Sequence, residues 1–170
     1  MKGLKSYIIK GIIFVSILGT LFHFVYKWSG ENFFIGLFTP INESIWEHTK
    51  LIFFPMLIYS LLPNKNIKEK YPCIDSAMIF GSIFGVLSII VLYFTYSGII
   101  GFNAPVADIL IFYLSVIFSF FITYNLTLSC KAEKYFKIFQ ILQIIMICLF
   151  IAFTLYPPDI PLFLNPQPVS

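Results

Sequence analysis

Long apolar runs divide the chain, separated by short polar punctuation. The runs lie near 7–27, 44–62, 76–97, 106–128 and 136–156. Each approaches the roughly 20 residues that a helix needs to cross the hydrocarbon of a bilayer. Trp28-Ser29-Gly30 closes the first run. Thr39-Pro40 opens the approach to the second, since proline suits a first helical turn, and Pro63-Asn64 ends it. Asn103-Ala104-Pro105 opens the fourth, and Pro157-Pro158 stops the fifth. No internal repeat is visible. The pattern predicts an all-α fold, a single transmembrane domain built as a bundle of five transmembrane helices. Lys2, Lys5 and Lys10 before the first run look like the start of a signal peptide. The run continues through Phe24 to Tyr26 without a small-residue cleavage site, so an uncleaved first span is expected.

Composition supports lipid as the solvent. Of 170 residues, 59% are hydrophobic and 11% charged, where soluble domains carry about 25% charged residues. All eleven basic residues are lysines, and the net charge of +3 arises from short clusters rather than a basic stripe. That excludes a nucleic-acid partner. The clusters Lys2, Lys5, Lys10, then Lys65, Lys68, Lys70, then Lys131, Lys134, Lys137 fall at the N-terminus and in alternate loops. Positive loops stay inside, so the expected orientation is N-terminus cytoplasmic and C-terminus outside, in the cell membrane. Cys73 and Cys130 then lie at the cytoplasmic boundary, where thiols stay reduced. With Cys148 they make an odd set with no metal spacing, so no disulfide framework is expected. Ala77, Gly81 and Gly85 recur every fourth residue, a stripe that lets helix backbones approach inside the bundle.

One stretch breaks the apolar pattern. FTPINESIWEHTKLIFF, residues 38–54, places Asn42, Glu43, Glu47, His48 and Lys50 within nine positions. On a helix at about 100° per residue, Glu43, Glu47 and Lys50 cluster, Ser44 and His48 flank them, and Trp46 faces lipid at interface depth. Lys50 then lies about 6 Å deeper than Trp46. A charge at the bilayer centre costs on the order of 3 kcal/mol or more, so these groups must turn inward and find partners. The topology brings others to the same level: His23 and Lys27 near the end of the first span, Asp108 at the start of the fourth, and Asp159 after the fifth. Both histidines and most of the acidic residues gather at the outer end.

Neutral imidazoles with carboxylates suit Zn²⁺ or a similar divalent cofactor. His23, His48 and Glu47 or Asp108 are the candidate ligands. Glu43 or Glu47 is the candidate general base, with His48 as ligand or acid–base group and Lys50 stabilising an anionic headgroup. The corresponding function is a membrane-embedded hydrolase or transferase with a lipid-like substrate. Two other classes fit the same residues: a small transporter or ion-handling accessory, and a structural or partner-binding membrane protein pinned by a buried salt-bridge network. Asn42 reads as a helix N-cap. The proline-rich tail from Pro157 reads either as a lid that brings Asp159 over the patch or as a frayed end.

The central motif has a family resemblance. Pro40 to Pro55, with Trp28-Ser29-Gly30 and His23 before it, resembles an uncharacterised family of small bacterial multi-pass membrane proteins, a domain of unknown function. Its pattern runs P-V-N-E-S-x-W-E-H-x-K-L-x-F-x-P, and Ile41 stands here for the Val. The closing Tyr156 to Phe163 is similar to the family's C-terminal motif, with Asp159 where the family has His and Asn165 where it has Asp. The resemblance implies a membrane protein and no particular activity.

Overall fold

The computed structural model describes residues 2–62 and 65–166, and every regular element among them is helical. The α-helices are α1 Lys2–Trp28, α2 Phe33–Gly36, α3 Ile45–Leu61, α4 Lys65–Lys70, α5 Ile74–Ile100, α6 Pro105–Ser129 and α7 Phe136–Leu155. A 3-10 turn at Glu133–Tyr135 leads into α7. Among the described residues, four helices are long and apolar enough to cross a bilayer: α1, α5, α6, and α7 with its leading turn. The second apolar run gives only the 17-residue α3. At 1.5 Å per residue that is about 25 Å, short of the roughly 30 Å of hydrocarbon. The expected stop at Pro63-Asn64 lies outside the described residues.

Burial explains how a short helix with two charges survives among apolar ones. From Ile45 to Met56 every residue of α3 is buried except His48, which is half-buried. α1, α5, α6 and α7 all pack against it. α1 offers one face, a stripe of Leu4, Ile8, Gly11, Val15 and Gly19 at three- and four-residue spacing. The small residues of α5 pack inward. A Cβ on Gly85 would come within 2.6 Å of Ile52 on α3, and one on Gly81 within 3.0 Å of the Ser119 carbonyl on α6.

Two expectations are corrected here. Trp46 is not lipid-facing: it is 6% exposed, with Phe150, Phe163 and Phe153 at ring distances of 4.9, 5.3 and 5.5 Å. The first turns of α3 have no lipid-facing arc, because α7 and the tail cover the side that the sequence assigned to lipid. Nor are all the thiols free. Cys73 and Cys130 form a disulfide, and Cys148 stays free. α5 begins and α6 ends at the same end of the bundle, which brings residues 57 apart in sequence to a Cα separation of 5.3 Å.

The tail folds back instead of fraying. The Leu162 carbonyl accepts from the Trp46 N–H at 3.0 Å, satisfying one of the orphan donors in the first turn of α3. Phe163 is buried against Trp46 and Phe153. Asp159 is exposed, so the lid-like contact comes from later residues.

Candidate functional site

The polar stretch is organised by the start of α3. Ser44, not Asn42, is the N-cap: its extended backbone (φ −66°, ψ 152°) lets its hydroxyl accept from the Glu47 N–H at 3.4 Å. Asn42 supports the turn before it, its Oδ1 accepting from the Ser44 N–H at 2.9 Å. Glu43 therefore precedes the helix. The Asn165 side-chain oxygen accepts from the Glu43 N–H at 3.0 Å, so the tail fixes this loop. Consecutive residues on a helix diverge by about 100°, and the first turns of α3 therefore deliver two separate polar groupings.

The first grouping is a buried ion pair. Lys50 is 0% and Glu47 2% exposed. The Lys50 ammonium donates to Glu47 Oε2 at 2.7 Å, the Gly36 carbonyl at 2.9 Å and Thr154 Oγ1 on α7 at 2.6 Å, with the Thr39 carbonyl at 3.4 Å. Glu47 also accepts from the Ile41 N–H at 3.0 Å and lies 3.0 Å from Thr154 Oγ1. Both charges are saturated by partners from α2, the following loop and α7. This is a structural clamp that ties α3 to its cover.

The second grouping is open. Ligand atoms of His23, Glu43 and His48 all lie within 4.8 Å of one another. The His23 and His48 rings are 5.2 Å apart, and His48 Nε2 is 3.4 Å from Glu43 Oε2. His23 arrives there because it extends the inward stripe of α1, four residues beyond Gly19. The other nitrogen of His48 decides the chemistry. Nδ1 is 2.9 Å from the Ser44 carbonyl, which only accepts, so Nδ1 carries a proton and donates. In the neutral ring, the Nε2 lone pair then faces a carboxylate oxygen. That contact is repulsive unless a proton or a cation sits between them. A backbone carbonyl fixing the tautomer is the usual support of a metal-ligating histidine. Two imidazoles and a carboxylate also form the three-ligand set of open zinc sites. Tetrahedral donors at about 2.0–2.1 Å from an ion sit roughly 3.4 Å apart, so modest side-chain movement completes the set.

Asp108, an expected ligand, stands beside this trio and outside it. In the first turn of α6 it accepts from the Tyr96 hydroxyl, and the Ala104 N–H donates to that hydroxyl at 3.2 Å. Two cavities of about 450 and 390 Å³ meet at Glu43, His48 and Asp108. One reaches inward past Ile89 and Ile111, between α5 and α6. The other reaches outward past Thr20, Phe24 and Tyr113, between α1 and α6.

A family model described as a family of unknown function (DUF6512) matches residues 1–167. The chain belongs to that family. No curated protein and no solved structure matches the chain. The DUF6512 match spans all of the site, from His23 to Asn165.

Of the residues singled out in the sequence, His23, Glu43 and His48 converge and Asp108 borders the same cavities. Glu47 and Lys50 are engaged with each other. Thr154 and Tyr96 were not singled out. Thr154 has a weak signal, a lone hydroxyl near the end of an apolar run at the depth of Lys50.

Proposed function

We propose that the chain is a five-crossing protein of the cell membrane, with α3 as the shielded fifth crossing. In this reading His23, Glu43 and His48 hold a divalent ion, zinc or similar, and the site hydrolyses or transfers a group from a lipid-like substrate. The observation that carries it is the His48 Nε2 lone pair set against Glu43, with His23 alongside, at the mouth of apolar cavities. When bound, the ion supplies Lewis-acid polarisation of a substrate oxygen and of a water. Asp108 is the general base: it takes a proton from the attacking water, whose oxygen bonds to the acyl carbon, and returns it to the leaving oxygen or nitrogen as that bond breaks. Tyr96 orients Asp108. Lys50, buried among its own partners, has no part in binding a headgroup.

The transporter reading is less favoured. The hydroxyls of Ser119, Thr123 and Thr127 each donate to the carbonyl four residues earlier, at 2.8, 2.8 and 2.7 Å. Ser119 and Thr123 pack against the glycine stripe of α5, and all three hydroxyls are spent on their own helix. The test of the preferred reading is metal analysis of protein purified without added chelator. The expected result is close to one zinc or similar ion per chain, released as pH falls because protons compete for the ligands. A metal-free protein that takes up no added zinc would sink it.

Orientation in this reading follows the lysines, with the metal cluster at the outer face. The Cys73–Cys130 disulfide lies at the lysine-rich end, where a reducing cytoplasm would ordinarily keep thiols free. The lysine bias acts during insertion, before any thiol is oxidised, and so decides the orientation. A single cysteine replacing Ser29 is expected to react with an impermeant maleimide on intact cells, and one replacing Lys131 only after lysis. The reverse pattern would invert the topology.

A further inference from the structure

We infer that the substrate is a single-chain amphiphile that enters sideways from the bilayer through the seam between α1 and α6 and lodges its chain in the inner cavity between α5 and α6. This rests on the proposed metal site for the headgroup only.

Three observations converge. The outer cavity is walled by α1 and α6 residues whose neighbouring surface faces lipid: Phe24 is 44% exposed, Ile109 58% and Tyr113 37%. A molecule in the acyl region therefore reaches the cluster without crossing water. Below this opening the seam is shut. Gly19 lets α1 approach so closely that a Cβ there would lie 2.6 Å from the Phe112 ring. Above that floor, Thr20 Oγ1 and the Tyr113 hydroxyl are 3.1 Å apart, the one polar link across the seam at this level among the described residues. The inner cavity has the complementary character. Ile89 is 5% and Ile111 8% exposed, both inside the bundle, and Asp108 and Glu43 stand at its mouth. At about 450 Å³ it falls within the range of small-molecule sites. An apolar chamber ending at the His48 imidazole and the Glu43 and Asp108 carboxylates fits a chain with a polar, metal-liganding head. The lateral opening fits a molecule that resides in lipid.

The test uses full-length protein in phosphatidylcholine vesicles, loaded with zinc, and a palmitoyl hydroxamate carrying a mid-chain diazirine. Photolysis is expected to label the segments around Ile89 and Ile111, and unlabelled palmitoyl hydroxamate is expected to suppress that label. Ile109→Trp fills the seam from a lipid-exposed position, where bulk is tolerated by the fold. It is expected to reduce chamber labelling at short photolysis times about tenfold, which corresponds to roughly 1.4 kcal/mol added to entry. Ile111→Trp fills the chamber itself and is expected to abolish the label there. Label spread evenly over lipid-facing surfaces and resistant to competition would overturn the proposal. So would chamber labelling indifferent to Ile109→Trp, which would place the entrance elsewhere. Acetohydroxamate, with the same head and almost no chain, separates the two readings. If it binds zinc-loaded protein while the long probe never enters the chamber, the metal site stands and the lateral route fails. If chamber labelling survives chelation and no zinc binds, the route stands and the metal reading fails.

Discussion

Replacing Lys50 with methionine is expected to cost about 3–5 kcal/mol of stability, the range for breaking a buried ion pair by removing one partner. The loss comes from what remains. Glu47, 2% exposed, is left buried without the donor at 2.7 Å. The Gly36 carbonyl loses its partner as well, and α2 with the loop after it loses its tie to α3. Glu47→Gln should do similar damage by stranding the ammonium. The double variant Glu47→Met with Lys50→Met removes both charges and leaves side chains of comparable volume. It is expected to recover much of the loss, because an apolar substitute for a buried pair is often neutral. Unfolding in mixed micelles, followed by near-UV signal, measures all three. A double variant as unstable as the singles would mean that the clamp's hydrogen bonds to the loop, rather than charge balance, hold α3 in place.

Removing either imidazole of the trio is expected to abolish stoichiometric zinc. Even residues behind a metal ligand typically cost 10–100-fold in affinity when changed, so a direct ligand should cost more than about 100-fold. His48→Ala and His23→Ala are both suitable, since both side chains are only half-buried and neither fills the core. Their folding should stay within about 1 kcal/mol of the parent, in line with substitutions away from the packed core. Asp159→Asn is the control: the residue is exposed on the tail and its change should leave metal content intact. Zinc titration with a competing chelator reads the affinities. If the histidine variants bind as the parent does, a proton and not a metal bridges His48 and Glu43.

The helical character, and helices long and apolar enough to cross a bilayer, were legible because apolar run length is a strong signal. The convergence of His23 with His48 was legible for a related reason. Topology places both near one end, and a charged or polar group at that depth must face inward. What escaped the sequence was the rank of the helices. α3 resembles its neighbours in hydropathy, yet it lies at the centre, and this one fact reassigns Trp46 from lipid to core. The partition between Glu47 with Lys50 and Glu43 with His48 also escaped. It depends on where the helix starts, and moving the cap from Asn42 to Ser44 leaves Glu43 before the helix, on the loop that the tail fixes. The disulfide was missed because redox compartment was weighed and the juxtaposition of α5's start with α6's end was not.

The clamp and the cap on α3 impose an order on biogenesis. Ribosomes deliver α3 long before Thr154, Leu162 and Asn165, the groups that close around its charged first turns. Until those late segments arrive, α3, a helix too short to span the hydrocarbon, is sheltered by α1, α5 and α6 while the side that carries Glu47 and Lys50 waits for its cover. The cluster at its head thus gains its final shape only after the region near residue 165 has been made, and a nascent chain stalled before α7 would carry His23, Glu43 and His48 without the tail that fixes the loop before α3.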